Sequence, residues 1–274
     1  MRRIKRFLPY IVMYGVAFLW MIPILWMADT AFKPDDEIFS SPPRWIPSHF
    51  TLDHVKEVIT EWPFLRWLFR SVVVATTVTF GSLIVSTLAA YSFARLQWWG
   101  RDFLFIFFLI FMLLPFELNV IPLFFQMSKF GWLNTVPGVA LPMIAMPIGV
   151  FLLRQFFINI PRELEDAARI DGCSSFGILW KVIVPISKPV FGAFGVFMFN
   201  MAWNEFFWSI ICLQRSDLLT LPVGLRHLHG AFDINYGLFM AAAFMASLPS
   251  LFIFLILRRQ IIRGFTLAGA GMKG

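Results

Sequence analysis

Charge is scarce in this sequence. Asp, Glu, Lys and Arg make up 14% of its 274 residues, against about 25% in soluble domains. That balance departs from the composition of soluble domains. Cysteine is almost absent: Cys173 and Cys212 are the two present, which excludes a disulfide framework or a cysteine-rich metal cluster. There are four histidines, His49, His54, His227 and His229. His227-x-His229 has the spacing to seed a metal site, but solvated loop histidines are the simpler reading, and no metal is expected. No G-x-x-x-x-G-K-[ST] stretch occurs, so the chain lacks that nucleotide cradle. No Ser/His/Asp set or paired carboxylates converge in one compartment, which argues against an enzyme. No basic run is interleaved on a soluble domain, which argues against nucleic-acid binding. An ion-coupled secondary transporter would favour internal repeats and intramembrane charges; no clear repeat and few mid-membrane ionisable groups are found, which argues against that reading.

What is present is apolar surface: 59% of the residues are hydrophobic, with 34 Phe and 11 Trp. It falls in long runs, and 18 or more consecutive apolar residues read as a membrane-crossing helix. Six runs are predicted, at 7–28, 71–94, 103–125, 136–158, 189–213 and 237–257. The expected fold class is therefore an all-α membrane protein with six transmembrane helices. Residues 1–274 are expected to form one transmembrane domain. The first run follows Met-Arg-Arg-Ile-Lys-Arg but is longer than the apolar core of a cleaved signal peptide, so it is expected to be retained. With the N-terminus placed inside, the inner segments hold fifteen of the 23 basic residues and five of the sixteen acidic ones. Inside is thus net +10 and the remainder −3. The Lys/Arg bias sets orientation, so both termini are expected in the cytoplasm.

One stretch breaks the apolar pattern: PRELEDAARIDGCSSFGILWKVIVPISKP, residues 161–189. Pro161 suits a helix start, and Glu163, Glu165 and Asp166 sit where the helix dipole favours acids. Leu164, Ala167, Ala168 and Asp171 are predicted to share one smooth face. Gly172 suits a left-handed stop. Ser174 or Ser175 can cap a second helix, whose stripe is Phe176, Leu179, Trp180 and Ile183 and which Pro185 is expected to end. Neither helix is long enough to cross a bilayer. A hairpin resting on lipid would place basic residues, not acids, beside an anionic leaflet, so a protein partner is the better reading.

Asp166-Ala167-Ala168, then Gly172 after three intervening residues, then Val182-Ile183-Val184-Pro185 after nine more resemble the cytoplasmic EAA loop of ABC importer permeases. Asp166 stands where that family has Glu, and Val182 and Val184 where it has Ile and Leu. The stretches FKPDDEIFSSPPRWIP, YSFARLQWWGRDFLF, NVIPLFF, GWLNTVPGVALP, WNEFFWSI and the tail RGFTLAGAGMKG are similar to carbohydrate-importer permeases, in particular the smaller six-helix subunit of the maltose type. Gly271-Met272 departs from the tail of that group. The resemblance implies a bacterial inner-membrane subunit that pairs with a homologous permease, sits on two ATP-binding subunits and receives a sugar from an extracytoplasmic solute-binding protein. No cofactor is expected on this chain, since ATP and Mg would lie on the partner subunits. It implies that Glu165, Asp166, Ala167, Ala168, Gly172 and Pro185 couple the permease to the ATPases. A non-sugar polar solute is the alternative cargo.

Polar groups inside membrane runs are functional candidates. Asn200, Trp203, Asn204 and Glu205 lie in the fifth run. An amide–aromatic face suits a sugar, since rings cover its apolar faces while amides donate and accept; interhelical hydrogen bonding explains the same residues. In the third run Glu117 and Asn119 follow Pro115, where a broken helix lines a cavity or makes a packing kink. Arg215, Arg226, His227 and His229 in the last outer loop suit an anionic solute or a contact with the binding protein.

Overall fold

A computed structural model describes the backbone of residues 2–228 and 235–270, and the side chains of 9–228 and 235–258. All regular elements among the described residues are helical. The chain divides into two compact units, one of residues 1–68 and 223–249, the other of residues 69–222 and 250–274. His229, Lys273 and Gly271-Met272 lie outside the described residues.

The chain begins with α1 (Arg2–Ala31), which carries Pro9 and Pro23 inside it. It is followed by α2 (Asp35–Ile38) and α3 (Asp53–Thr60). At the start of α3 Leu52 is the boundary residue, and the Thr51 hydroxyl accepts the Asp53 backbone N–H at 3.1 Å. The segment between α1 and α3 folds around a buried lysine. The Lys33 ammonium pairs with Asp29, donates to the Arg44 carbonyl at 2.6 Å and lies over the Trp26 ring. The Lys33 carbonyl in turn accepts the buried His54 ring at 3.0 Å. A lysine is almost never fully buried unless paired, and here its partners supply that pairing. Gly237 allows the His54 ring to approach: a Cβ there would lie 2.2 Å from the ring nitrogen.

α4 (Phe64–Arg95) is 32 residues long, roughly 48 Å at 1.5 Å per residue. The following segments are shorter and broken: α5 (Arg101–Ile110), α6 (Val120–Lys129), α7 (Val136–Ile144) and α8 (Pro147–Ile158). The α5 side leads through two 3-10 turns flanking Pro115 into α6, with a bend of 96°. Proline has no N–H to continue a helical ladder. α7 and α8 are bent by 42° ahead of Pro147, which opens α8. Then come α9 (Glu163–Ile170), α10 (Ser175–Ile178), a π-helical stretch (Leu179–Ile183) and α11 (Val184–Ile186). α12 (Lys188–Trp203), α13 (Phe207–Cys212), α14 (Leu221–Leu228) and α15 (Tyr236–Ala270) complete the order.

Among the described residues, α1, α4 and α15 contain spans long and apolar enough to cross a membrane, and the number reaches six if each of three bent pairs is one span. The third bent pair is 175–186 with 188–203, at 81°. The fifth predicted run is therefore not one helix: α12 stops at Trp203 and α13 starts at Phe207. Within the larger unit the core is apolar and contains Val78, Val139, Leu153, Phe157, Phe194, Met198 and Trp208, each at most 1% exposed. The one polar atom of the Trp208 side chain is satisfied, its indole N–H donating to the Gly138 carbonyl at 2.9 Å.

Candidate functional site

The charged stretch folds as a helical hairpin. Glu163, Glu165 and Asp166 occupy the first turn of α9, where exposed backbone N–H groups and the dipole favour carboxylates. Pro161 lies just ahead of the helix rather than in its first turn. At the other end Gly172 has φ of +80°. Its N–H bonds to the Arg169 carbonyl, and the Cys173 N–H to the Ala168 carbonyl, both at 2.9 Å. These are the paired bonds of a Schellman stop. Ser174, not Ser175, caps α10, its hydroxyl accepting the Gly177 N–H at 3.2 Å. Pro185 does not end the second helix outright. It sits in the first turn of α11, which runs to Ile186, and the chain then bends at Ser187.

The predicted docking face divides in two. Ala168 is buried, whereas Leu164 and Ala167 are exposed and Ile170 is 87% exposed. Likewise Leu179 and Ile183 are buried while Phe176 and Trp180 are exposed and meet edge to face. The hairpin has one side against the body of its unit and one apolar side facing out. The outward face is Leu164, Ala167, Ile170, Phe176 and Trp180. The inward side is set by a distant group, which helical spacing does not reveal. Glu165 is 3% exposed, and its Oε1 lies 2.9 Å from Nε of Arg95, the last residue of α4. Asp166 stays exposed and pairs with Arg169 at 2.9 Å.

The candidates of the fifth run meet at the break between α12 and α13. Asn204 follows α12, and its amide donates to the Asn200 carbonyl at 2.8 Å and to the Asn200 side-chain oxygen at 3.1 Å. Both amides are exposed. Trp203 is 4% exposed and stacks on Phe199 with ring centroids 5.7 Å apart. Glu205 accepts the backbone N–H groups of Trp208 and Ser209 at 2.7 and 2.9 Å, and the Ser209 hydroxyl at 2.5 Å. Its carboxylate caps α13. Trp203 and Glu205 thus support the break, and Asn200 and Asn204 form its open polar surface. Asn119 stands exposed at the start of α6. Phe116, in the turn before it, meets the Trp208 ring at 6.4 Å, which places two helix breaks near one another.

Glu37, in the segment before α3, holds its carboxyl below the usual carboxylate range because it accepts hydrogen bonds from Ser48, with Arg44 adding a nearby positive charge. His227 is exposed in the last turn of α14. Among the described residues no group of three His, Cys, Asp or Glu side chains could hold a metal ion.

Residues 82–265 match the family model described as binding-protein-dependent transport system inner membrane component. The arabinooligosaccharides transport system permease protein AraQ of Halalkalibacterium halodurans is 35% identical over 257 residues, covering 93% of this chain and 92% of that protein. The lactose transport system permease protein LacG of Rhizobium radiobacter is 31% identical over 268 residues, covering 96% and 97%. A chain of a bacterial ABC transporter involved in import of the acidic polysaccharide alginate shares the fold, with a TM-score of 0.84 at 19% identity over 94% of this chain and 96% of that one. The matched segment takes in the α9–α11 hairpin and both helix breaks, and this chain belongs to the inner-membrane components of binding-protein-dependent transport systems.

Proposed function

We propose that the chain is one permease subunit of an ATP-driven importer that carries a sugar or oligosaccharide across the bacterial inner membrane. The observation that carries this is the α9–α11 hairpin, with an apolar outward face of Leu164, Ala167, Ile170, Phe176 and Trp180 on a segment that opens with the charged first turn of α9, a helix of 8 residues. Such a face suits a groove on a separate ATP-binding subunit, with Asp166 and Arg169 at its rim to fix register. Two ATPase subunits, a homologous permease and a solute-binding protein complete the assembly, and ATP and Mg act on the ATPases. Both termini and the hairpin lie in the cytoplasm, in keeping with the Lys/Arg bias. The span Pro9–Ala31 of α1 has none of its most apolar window buried, which leaves it free for lipid and for the second permease. Closure of the ATPases biases a two-state helical bundle. Asn200, Asn204 and Asn119 are the side chains offered to the solute, and the names of the relatives favour a carbohydrate over another polar cargo.

The test reconstitutes the full complex with its binding protein and measures entry of labelled oligosaccharides. ATP-dependent entry that requires the binding protein is expected. Entry that persists without ATP and follows an ion gradient would overturn the reading.

A further inference from the structure

Arg95 closes α4, and its side chain is 3% exposed. One of its terminal nitrogens, Nη2, donates to the carbonyls of Phe157 and Ile160. Phe157 is in the last turn of α8 and Ile160 lies just beyond it. The Phe157 carbonyl, in the last turn where the regular helical ladder ends, also accepts the Ile160 N–H at 3.1 Å. The Nε edge of the same guanidinium faces Glu165 of α9 at 2.9 Å as an ion pair, and Arg169 lies 3.7 Å from the other oxygen of that carboxylate. The planar guanidinium holds its donors at fixed angles on separate nitrogens, which the compact, freely rotating ammonium of a lysine does not. α4 and α8 are joined a second time, where Arg154 donates to the Phe93 carbonyl at 3.2 Å. α9 is held to this pair of helix ends by the ion pair of Glu165 with Arg95.

We infer that Arg95 and Glu165 are positioning residues that lock α9 to the ends of α4 and α8, so that the hairpin and these two helices turn as one body during transport. This rests on the reading of the hairpin as the coupling element. A link between α8 and α9 of only four residues, 159–162, sets their spacing but leaves their angle free. The buried pair fixes the angle. Each charge also obliges the other to stay, since a buried charge that loses its partner is strongly unfavourable.

The test uses the assembled transporter in lipid nanodiscs, with Cys173→Ser as background because Cys212 is buried. Spin labels are placed at exposed helical positions by Leu88→Cys on α4 and Glu163→Cys on α9. Their distance distribution is measured without nucleotide and after trapping with ATP and vanadate. The native pair is expected to give one narrow distribution, the same in both states. R95Q and E165Q are expected to broaden it and shift it on trapping. The double variant R95M/E165M keeps apolar bulk without charge and is expected to behave as the single variants do, so misfolding of R95Q does not remove the test. R95K is not expected to restore the native distribution. A native distance that changes on trapping, or double-variant distributions identical to the native ones, would overturn the inference. Failure of the coupling reading itself is read separately: Ala167→Cys on the outward face would then form no cross-link to an ATPase subunit, whatever the distance from 88 to 163.

Discussion

The Glu205 carboxylate binds both the backbone N–H and the hydroxyl of Ser209, and with the Trp208 N–H it closes the N-terminus of α13. A residue in the middle of an apolar run thereby starts a helix. Glu205→Ala removes the cap and leaves two N–H groups without it. Loss of a capping side chain costs about 0.5–2 kcal/mol, and the charge on this one places it toward the upper end. Thermal unfolding of the detergent-purified chain is expected to show the loss. Glu205→Gln, which can still accept, should lie between Ala and the native residue. An Ala variant as stable as the native chain would remove Glu205 from this structural role.

Gly172 is held at φ +80°, and no atom beyond its own chain neighbours lies within 4 Å of where a Cβ would stand. Space is therefore not the constraint; backbone conformation is. A β-branched residue at left-handed φ is disfavoured by roughly 1–2 kcal/mol, and Asn tolerates it better. Gly172→Val is expected to leave chain abundance in the membrane near native but to lower solute uptake per molecule of ATP hydrolysed. Gly172→Asn is expected to lower it less. Equal uptake in all three would show that the aim of the hairpin is unimportant to coupling.

The two alanines of the hairpin should respond in opposite ways. Ala168 is 8% exposed and packs inward, so Ala168→Leu overfills its site; overpacking costs about 1–3 kcal/mol and is expected to reduce the amount of folded chain. Ala167 is exposed, so Ala167→Leu should leave folding unchanged and weaken capture of the ATPase subunits. Co-purification of those subunits, normalised to permease, separates the effects.

The sequence shows where apolar runs lie because lipid imposes length and composition on them directly. It shows Gly172 because a left-handed stop after a charged helix has a narrow residue choice. The break at 204–206 is harder to see, since it contains neither Pro nor Gly. It arises from the Asn204 amide turning back onto Asn200 and from Glu205 capping ahead, interactions that polar residues make in many contexts. The division between Ala167 and Ala168 is invisible locally for a different reason. The partner that turns Glu165 inward is Arg95, on a helix that ends well before the hairpin begins, and helical spacing alone cannot choose which side of a short amphipathic helix faces the body.

Glu37 gives the segment before α3 a defined pH response. Its carboxyl is held below its ordinary value of 4.5, first by hydrogen bonding from Ser48 and also by the positive charge of Arg44. A depressed folded pKa means that the stabilisation is fully present above the unfolded value and is lost as pH falls through the folded one. Between pH 7 and pH 5 this group should therefore add nothing to the pH dependence. Below about pH 4.5 protonation weakens the acceptor that holds Ser48, and the segment should open. Limited proteolysis across residues 37–50, followed from pH 7 to pH 3 with an acid-active protease, is expected to show cleavage rising only at the acid end. Glu37→Gln keeps an acceptor but not the charge, so its cleavage is expected to be higher at pH 7 and flatter with pH. A native profile in the Gln variant would show that another group carries the acid response.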